Sequence, residues 1–362
     1  MTNPGVTDAV DRRALSQFDM IIDVRSPGEF TEDHIPGAVN LPVLNNEERA
    51  KVGAIYVQES RFLARRVGAA LVARNIARHL ETSLADLTSA FQPLVYCWRG
   101  GQRSSSMATI LAQVGWRTMV LRGGYQTYRR AAQKKLYQSD LGVRFVVLDG
   151  GTGCGKTAIL QRAASLGLQV IDLEDLAQHR GSLFGALSGV SQPSQKWFET
   201  VLLDKLNSFD VRKPILVEAE SNKIGKRTLP PAVWQAMRRA PRIELTAPLE
   251  ARASYLLKSY AEVVADRELL EAALSRLEVF PGRKRLQSWR LMADAGQFLA
   301  LVQEVVERHY DPSYTRANQR DERPLFATLA LSSLDEAEQD AAAREVVNAV
   351  TAISAGAHWR ES

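Results

Sequence analysis

The sequence predicts an α/β protein: an N-terminal domain around a parallel sheet, then an α/β domain built on a phosphate-binding loop, with a helical C-terminal region. Three observations predict it. Short apolar runs at 19–23, 94–97 and 118–121 alternate with helical patterns such as 106–115, the arrangement of buried parallel strands covered by helices. A second series of such runs, at 145–148, 169–172, 214–218 and 242–245, starts after Gly123, Gly124 and the polar stretch 129–140, which reads as a connecting helix or linker. Beyond about residue 250 the spacing is helical: mixed charges over 252–277, an apolar helix over 299–306, and an amphipathic helix over 333–355 that is acidic at its start, as the helix dipole favours. The expected domains are 10–138 and 139–362.

Bulk properties narrow the class. A chain of 362 residues is long enough for two cores. Hydrophobic content of 45% and charged content of 24% are those of an ordinary soluble globular protein. The two cysteines, Cys97 and Cys154, each sit in a Gly-rich loop. They form no disulfide framework and suit a reducing compartment. The N-terminus lacks the basic and apolar regions of a signal peptide, and no apolar run approaches membrane-span length. The expectation is a cytoplasmic protein with no membrane partner. A net charge of +5 permits a nucleic-acid partner without establishing one.

The run GGTGCGKT at 150–157 fits G-x-x-x-x-G-K-T, follows an apolar strand and opens a helix. Gly150, Gly151, Thr152, Gly153, Cys154, Gly155, Lys156 and Thr157 are therefore the expected diphosphate cradle. Its glycines let successive amides face one polyphosphate, Lys156 supplies a mobile cation, and the Thr157 hydroxyl suits Mg²⁺. Acids at the ends of the following strands, Asp172, Glu174, Glu218 and Glu220, line the ligand crevice of such a sheet. They are candidates to hold Mg²⁺ beside the diphosphate, with solvated loop acids or helix caps as the alternative. His179 and Arg180 read as phosphate or RNA ligands, or as a helix cap. Gln195 and Lys196 open a helix whose apolar face is Phe198, Leu202, Leu206 and Phe209, and are placed to face the ligand.

A second anion loop, CWRGGQRS at 97–104, surrounds a cysteine. Loop amides with Arg99 or Arg103 would stabilise a thiolate and hold an anionic leaving group. Asp23 and Arg25 end the first strand on the same sheet edge, where they are expected to face Cys97. The plain alternative is a buried strand-end cysteine without chemistry. Trp98 reads either as a wall on which a base or apolar tail stacks, or as packing.

Basic residues concentrate between 211 and 290, sixteen Lys and Arg against nine Asp and Glu. Lys223, Lys226, Arg227, Arg283, Lys284 and Arg285 are the candidate RNA-backbone contacts, a solvated basic face being the competing reading.

These segments carry a resemblance. DVRSPGEF at 23–30, HIPGAVNLP at 34–42 and CWRGGQRS at 97–104 resemble the rhodanese (sulfurtransferase) domain, which implies a cysteine that carries a chalcogen and a structural role for His34. The loop is one residue longer before its second arginine than many rhodanese loops. Together with DLEDLAQHRGSLFG at 172–185, QPSQKWFE at 192–199 and EAES at 218–221, nearly the whole chain resembles the tRNA 2-selenouridine synthase family. Ala219 stands where an acid is expected, so no carboxylate at 219 belongs to the metal site. The resemblance implies S-geranylation of wobble 2-thiouridine in tRNAs for Lys, Glu and Gln from geranyl diphosphate. Replacement of the geranylthio group by selenium from selenophosphate follows, with Cys97, Arg99, Arg103 and Asp23 as the catalytic set. tRNA is the implied macromolecular partner, joined by the selenophosphate-producing enzyme. The competing class is an ATP-dependent sulfurtransferase, whose phosphate loop cleaves ATP; a non-enzymatic RNA-binding module is a third, opposed by the intact Cys97, Lys156 and Thr157.

Overall fold

The structure, a computed structural model, describes residues 3–179, 191–277 and 283–356, the side chains of 276 and 283 excepted. Arg180 and the Arg283 side chain lie outside the described residues. The chain forms two compact units: residues 1–139 with 193–208, and residues 140–192 with 209–362.

The first unit holds a five-stranded parallel sheet. Its strands are β1 (Gly5–Thr7), β2 (Met20–Asp23), β3 (Ala38–Asn40), β4 (Pro93–Tyr96) and β5 (Met119–Leu121), in the order β1-β5-β4-β2-β3. β4 is buried at every position, as a central parallel strand covered on both faces must be. On one face Ile22, Val95 and Val120 pack with Met107 and Leu111 of the helix Gln102–Val114. On the other, Ile21, Leu94 and Leu121 meet Tyr125 and Tyr128. The stretch read as a connecting helix or linker lies mostly in the helix Tyr125–Gln138, which buries Tyr125, Tyr128, Ala132 and Leu136 at helical spacing.

The helix Gln195–Ser208 belongs to this first unit, although it follows the phosphate loop in sequence. Polar contacts hold it there. Glu199, 1% exposed, pairs with Arg129 and accepts from the Tyr137 hydroxyl at 2.7 Å. Lys196 pairs with Glu32 at 2.7 Å, and Trp197 stacks on His34 with centroids 4.1 Å apart.

The second unit repeats the sheet logic with β6 (Phe145–Gly150), β7 (Gln169–Ile171), β8 (Ile215–Glu218), a two-stranded hairpin of β9 (Lys223–Ile224) and β10 (Arg227–Thr228), then β11 (Arg242–Thr246) and β12 (Leu325–Ala330). The parallel order is β12-β11-β6-β8-β7. Ile159 and Ala163 of the helix Lys156–Ser165 share a core with Ala343, Val346 and Val350 of the C-terminal helix Glu336–Ala355. Asp335 caps that last helix by accepting from the Glu338 amide at 2.9 Å. The stretch 252–277 divides into the helices Leu249–Ser259, Ala261–Ala265 and Arg267–Arg276. With Phe298–Val305 and a wide turn at Val306–Tyr310, they surround a satellite core of Leu274, Leu277, Leu286, Trp289, Leu301 and Val305.

Candidate functional site

Cys97 follows the end of β4, and the helix Gln102–Val114 begins a few residues later with Gly101 as its N-cap. The thiol therefore faces the positive end of a helix. The Gly101 amide and the Ser104 hydroxyl each donate to Cys97 Sγ at 3.2 Å. Glycine is required nearby: a Cβ on Gly124, whose φ is +58°, would stand 2.1 Å from the Cys97 carbonyl oxygen.

The charged residues expected around Cys97 divide in two. Arg99 is exposed and available to an anion. Arg103 donates to Glu29 at 2.8 Å; burial pushes the Glu29 carboxyl up, but this pairing outweighs it and holds the group below its ordinary range. Asp23 accepts the Arg25 guanidinium at 2.6 Å and the Arg25 amide at 2.9 Å, with both side chains buried. Arg25 in turn lies over the Tyr125 ring, 4.2 Å from its centroid, and donates to the Asp33 carbonyl. Breaking such a buried pair costs about 3–5 kcal/mol. Asp23 and Arg25 thus brace the floor of the loop, and an Asp23 variant would lose fold before it informed on catalysis. His34 is wedged between Phe30 and Trp197 and hydrogen-bonds the Phe30 carbonyl at 2.9 Å; burial lowers its pKa. Lys196, expected to face the phosphate ligand, lies with its Nζ 6.0 Å from the Trp98 ring, and Trp98 stacks on Tyr125.

In the second unit the phosphate loop joins β6 to its helix. Gly150, Gly153 and Gly155 have φ of +151°, +85° and +74°. A Cβ on Gly150 would come within 2.7 Å of the Leu245 carbonyl oxygen, so this turn admits only glycine. Lys156 arches back over the loop to donate to the Gly150 carbonyl at 2.6 Å. Cys154 turns inward: its side chain is 3% exposed in the core, burial raises its thiol pKa, and its amide bonds the Gly151 carbonyl at 3.2 Å.

A cleft of about 820 Å³ opens over this loop and is lined also by Glu174, Ala219, Glu220, Trp234, Arg238 and Tyr314. Thr157 Oγ1 lies 3.3 Å from a Glu174 oxygen and 3.5 Å from a Glu218 oxygen. Asp172 instead caps the next helix, accepting from the Asp175 amide at 2.9 Å. His179 packs its ring under the hairpin at Gly225. Burial, and then the charge of Glu220, push the Glu174 carboxyl up from 4.5 to about 8. Glu218 and Glu220 are raised as well, with burial the largest cause. Crowded hard oxygens short of positive charge are donors that suit Mg²⁺. Among the described residues no group of three or more His, Cys, Asp or Glu side chains is gathered closely enough to hold a metal by itself. Thr157, Glu174 and Glu218 would hold the ion together with oxygens of a bound phosphate.

These raised carboxyls couple pH to stability. The folded chain binds more protons than the unfolded chain between pH 4.5 and about 8. That stabilisation is complete below the lower value and lost as pH rises through the upper one. The melting temperature in metal-free buffer should therefore fall as pH rises from 4.5 to about 8 and level off above it, and Glu174→Gln should flatten the fall. A scan equally steep in the variant would assign the effect to other groups.

Sequence reading missed an ionic network beside the loop. Asp149, 5% exposed, accepts from the Gly150 amide at 2.7 Å and from Arg323 at 3.2 Å. Arg242 lies 3.5 Å from Asp149 and 3.7 Å from Asp321. Arg252 forms a two-pronged pair with Asp311, at 2.8 and 2.7 Å, and reaches the Thr152 carbonyl at 3.4 Å. The clamp ties the segment around Asp311 to the loop. Asp149, an acid that directly follows the apolar run of β6, is the trace of the wider network in the sequence.

The basic stretch is less free than its count suggests. Arg212, Arg242, Arg252, Arg267 and Arg290 are all ion-paired. Lys223 and Lys226 are exposed on the hairpin with Arg227 half-buried, and Lys284 and Arg285 are exposed at a helix start. Trp289 is fully buried.

Comparison with known proteins agrees with both halves. A model of the rhodanese-like domain matches residues 7–131, and one of the tRNA 2-selenouridine synthase AAA domain matches residues 143–278. The tRNA 2-selenouridine synthase of Nitrosomonas europaea is 36% identical over 265 residues, 72% of this chain and 68% of its own. That of Bdellovibrio bacteriovorus is 34% identical over 78% of this chain and 75% of its own. That of Aeromonas salmonicida is 32% identical over 355 residues, 90% of this chain and 94% of its own. Among the described residues no helix is long and apolar enough to cross a membrane. With a cysteine cradle in one unit, a phosphate loop in the other, and relatives matched along nearly the full chain, the protein belongs to the tRNA 2-selenouridine synthase family of tRNA-modifying enzymes.

Proposed function

We propose that the chain replaces the sulfur of wobble 2-thiouridine in tRNAs for Lys, Glu and Gln in two steps. In the first, the thiocarbonyl sulfur attacks the allylic carbon of geranyl diphosphate; the S–C bond forms as the C–O bond breaks, and diphosphate leaves with the electron pair. In the second, the selenium of selenophosphate attacks C2 of the base; the C2–S bond breaks and the geranylthio group departs as geranyl thiol after taking up a proton, while water takes the phosphoryl group as the Se–P bond breaks and phosphate is released. The observation that carries the reading is the Cys97 cradle, a thiol at a helix N-terminus with two donors on its sulfur. Two donors converge there beside a helix N-terminus, an arrangement that suits a bound anion. Exposed Arg99 would hold the phosphate released from selenophosphate.

For the first step, the loop amides and Lys156 are preorganised around the leaving diphosphate, which is electrostatic catalysis in place before the charge moves. Mg²⁺ bound at Thr157 would add positive charge there. The soft sulfur nucleophile needs no base. An anticodon base is reached by leaving its stack, as loop bases do when proteins read them.

The test is mass spectrometry of nucleosides from 2-thiouridine tRNA incubated with the full chain. Geranyl diphosphate alone should give the S-geranyl nucleoside with one diphosphate released per turnover, and selenophosphate should then convert it to 2-selenouridine. Consumption of ATP, with no release of diphosphate from the geranyl ester, would favour the ATP-dependent sulfurtransferase instead.

The hairpin supplies a separate expectation. Lys226→Glu with Arg227→Glu should weaken tRNA binding roughly tenfold and lower the log–log salt slope by about one unit for each phosphate no longer neutralised. Turnover at saturating tRNA should change much less, because residues on the phosphate backbone position the substrate without touching the chemistry. An unchanged slope would make the hairpin a solvated face.

A further inference from the structure

Beside the phosphate loop, within the second unit, lies a second and very different cavity. It is narrow, about 60 Å³, and its lining is apolar: Val264, Leu270, Leu274, Phe298 and Val302 stand among its walls. Thr152, Leu256, Tyr260 and Tyr310 line both this cavity and the large cleft over the loop. An anion cradle and a hydrocarbon slot thus share one wall. That combination matches an amphiphile with a polyphosphate head and a short hydrocarbon tail, and not a nucleotide, whose base and ribose carry polar edges that this slot leaves unpaired.

We infer that this slot holds the tail of the allylic diphosphate and measures its length, an inference that rests on the geranyl diphosphate reading above. The slot, about 60 Å³ against about 820 Å³ for the cleft, admits a short hydrocarbon end and nothing bulky. The first unit of a ten-carbon tail lies along Leu256 and Tyr260 at the mouth, and the second fills the slot. A five-carbon ester stops at the mouth, and a fifteen-carbon ester exceeds the slot. The wide turn Val306–Tyr310 places Tyr310 at the junction, and such turns recur where a helix must present a side chain to a ligand.

The experiment measures calorimetric affinities of the full chain for inorganic diphosphate and for allylic diphosphates of five, ten and fifteen carbons, together with transfer of each to tRNA. The ten-carbon ester should bind about 100-fold tighter than inorganic diphosphate, given the gain per buried methylene less the cost of ordering the tail. Val302→Phe, which fills the slot, should remove at least tenfold of that advantage while leaving inorganic diphosphate within about twofold. Leu270→Ala, which enlarges it, should raise affinity and transfer for the fifteen-carbon ester, a gain that a damaged fold does not produce. If the wild-type chain transfers the ten-carbon group but both variants keep its length preference, the tail lies elsewhere and the inference is overturned while the geranyl reading stands. If no ester is transferred and none competes with inorganic diphosphate, that reading fails and the inference with it.

Discussion

Cys97→Ser is expected to lower 2-selenouridine formation by at least about 10³-fold, the scale of losing a catalytic nucleophile, while S-geranylation stays within about threefold of normal. The asymmetry follows from the chemistry. Alkylation uses the sulfur of the base and needs no thiol from the protein, whereas the selenium step takes place at the Cys97 cradle. Serine keeps the shape of the loop, and the Gly101 amide and Ser104 hydroxyl that now point at Sγ would still find an oxygen acceptor. Loss of fold is therefore a poor explanation for the result. Ser104→Ala, which leaves the thiol with one donor fewer, should show a partial loss of roughly tenfold in the same step. Normal selenation by the Cys97 variant, measured on the same tRNA by nucleoside mass spectrometry, would remove Cys97 from the selenium step.

The parts of the molecule that sequence made visible are those whose pattern is local. β4, β6 and β8 are near-continuous apolar runs because parallel strands buried on both faces leave no polar side, while β2, β5, β7 and β11 carry two buried apolar residues each. The phosphate loop is equally local, its glycines set by left-handed backbone and close approach. Three of the four edge strands escaped notice. β1 has three residues and one neighbour, β3 has three, and β12 alternates exposed and half-buried positions at the sheet margin. A short strand paired on one side needs little hydrophobic contrast and leaves little trace. Contacts between distant segments were also invisible. Nothing in the run 195–208 announces that its Glu199 pairs with Arg129 or that Trp197 stacks on His34. Net charge misled for the same reason: Arg242 and Arg252 count toward a basic stretch but are neutralised by Asp149 and Asp311, far away in sequence. In the cysteine loop, the anion cradle was legible from its glycines. The Ser104 hydroxyl as a donor to sulfur required the first turn of the helix to be in place.

Lys156→Ala is expected to affect the other step. Its ammonium reaches the Gly150 and Gly151 carbonyls across the loop. With the ammonium gone, the charge developing on the departing diphosphate loses one of its preorganised partners. Removal of one such donor costs about 10²–10³ in rate. S-geranylation should fall by that factor, and overall conversion of 2-thiouridine with it. The fold should tolerate the change, because Lys156 is half-buried at a helix start and its hydrogen bonds stay within its own loop. Two controls give the result its meaning. Melting temperature should move little, and tRNA that already carries the S-geranyl group should be selenated by the variant at a substantial fraction of the normal rate, since Cys97 and its two donors lie in the other unit. Inorganic diphosphate should also bind the variant more weakly, which ties the kinetic loss to the charge. Equal loss of both steps, with an unchanged melting temperature, would show that the loop serves selenophosphate as well, and the division of labour between the two units would have to be abandoned.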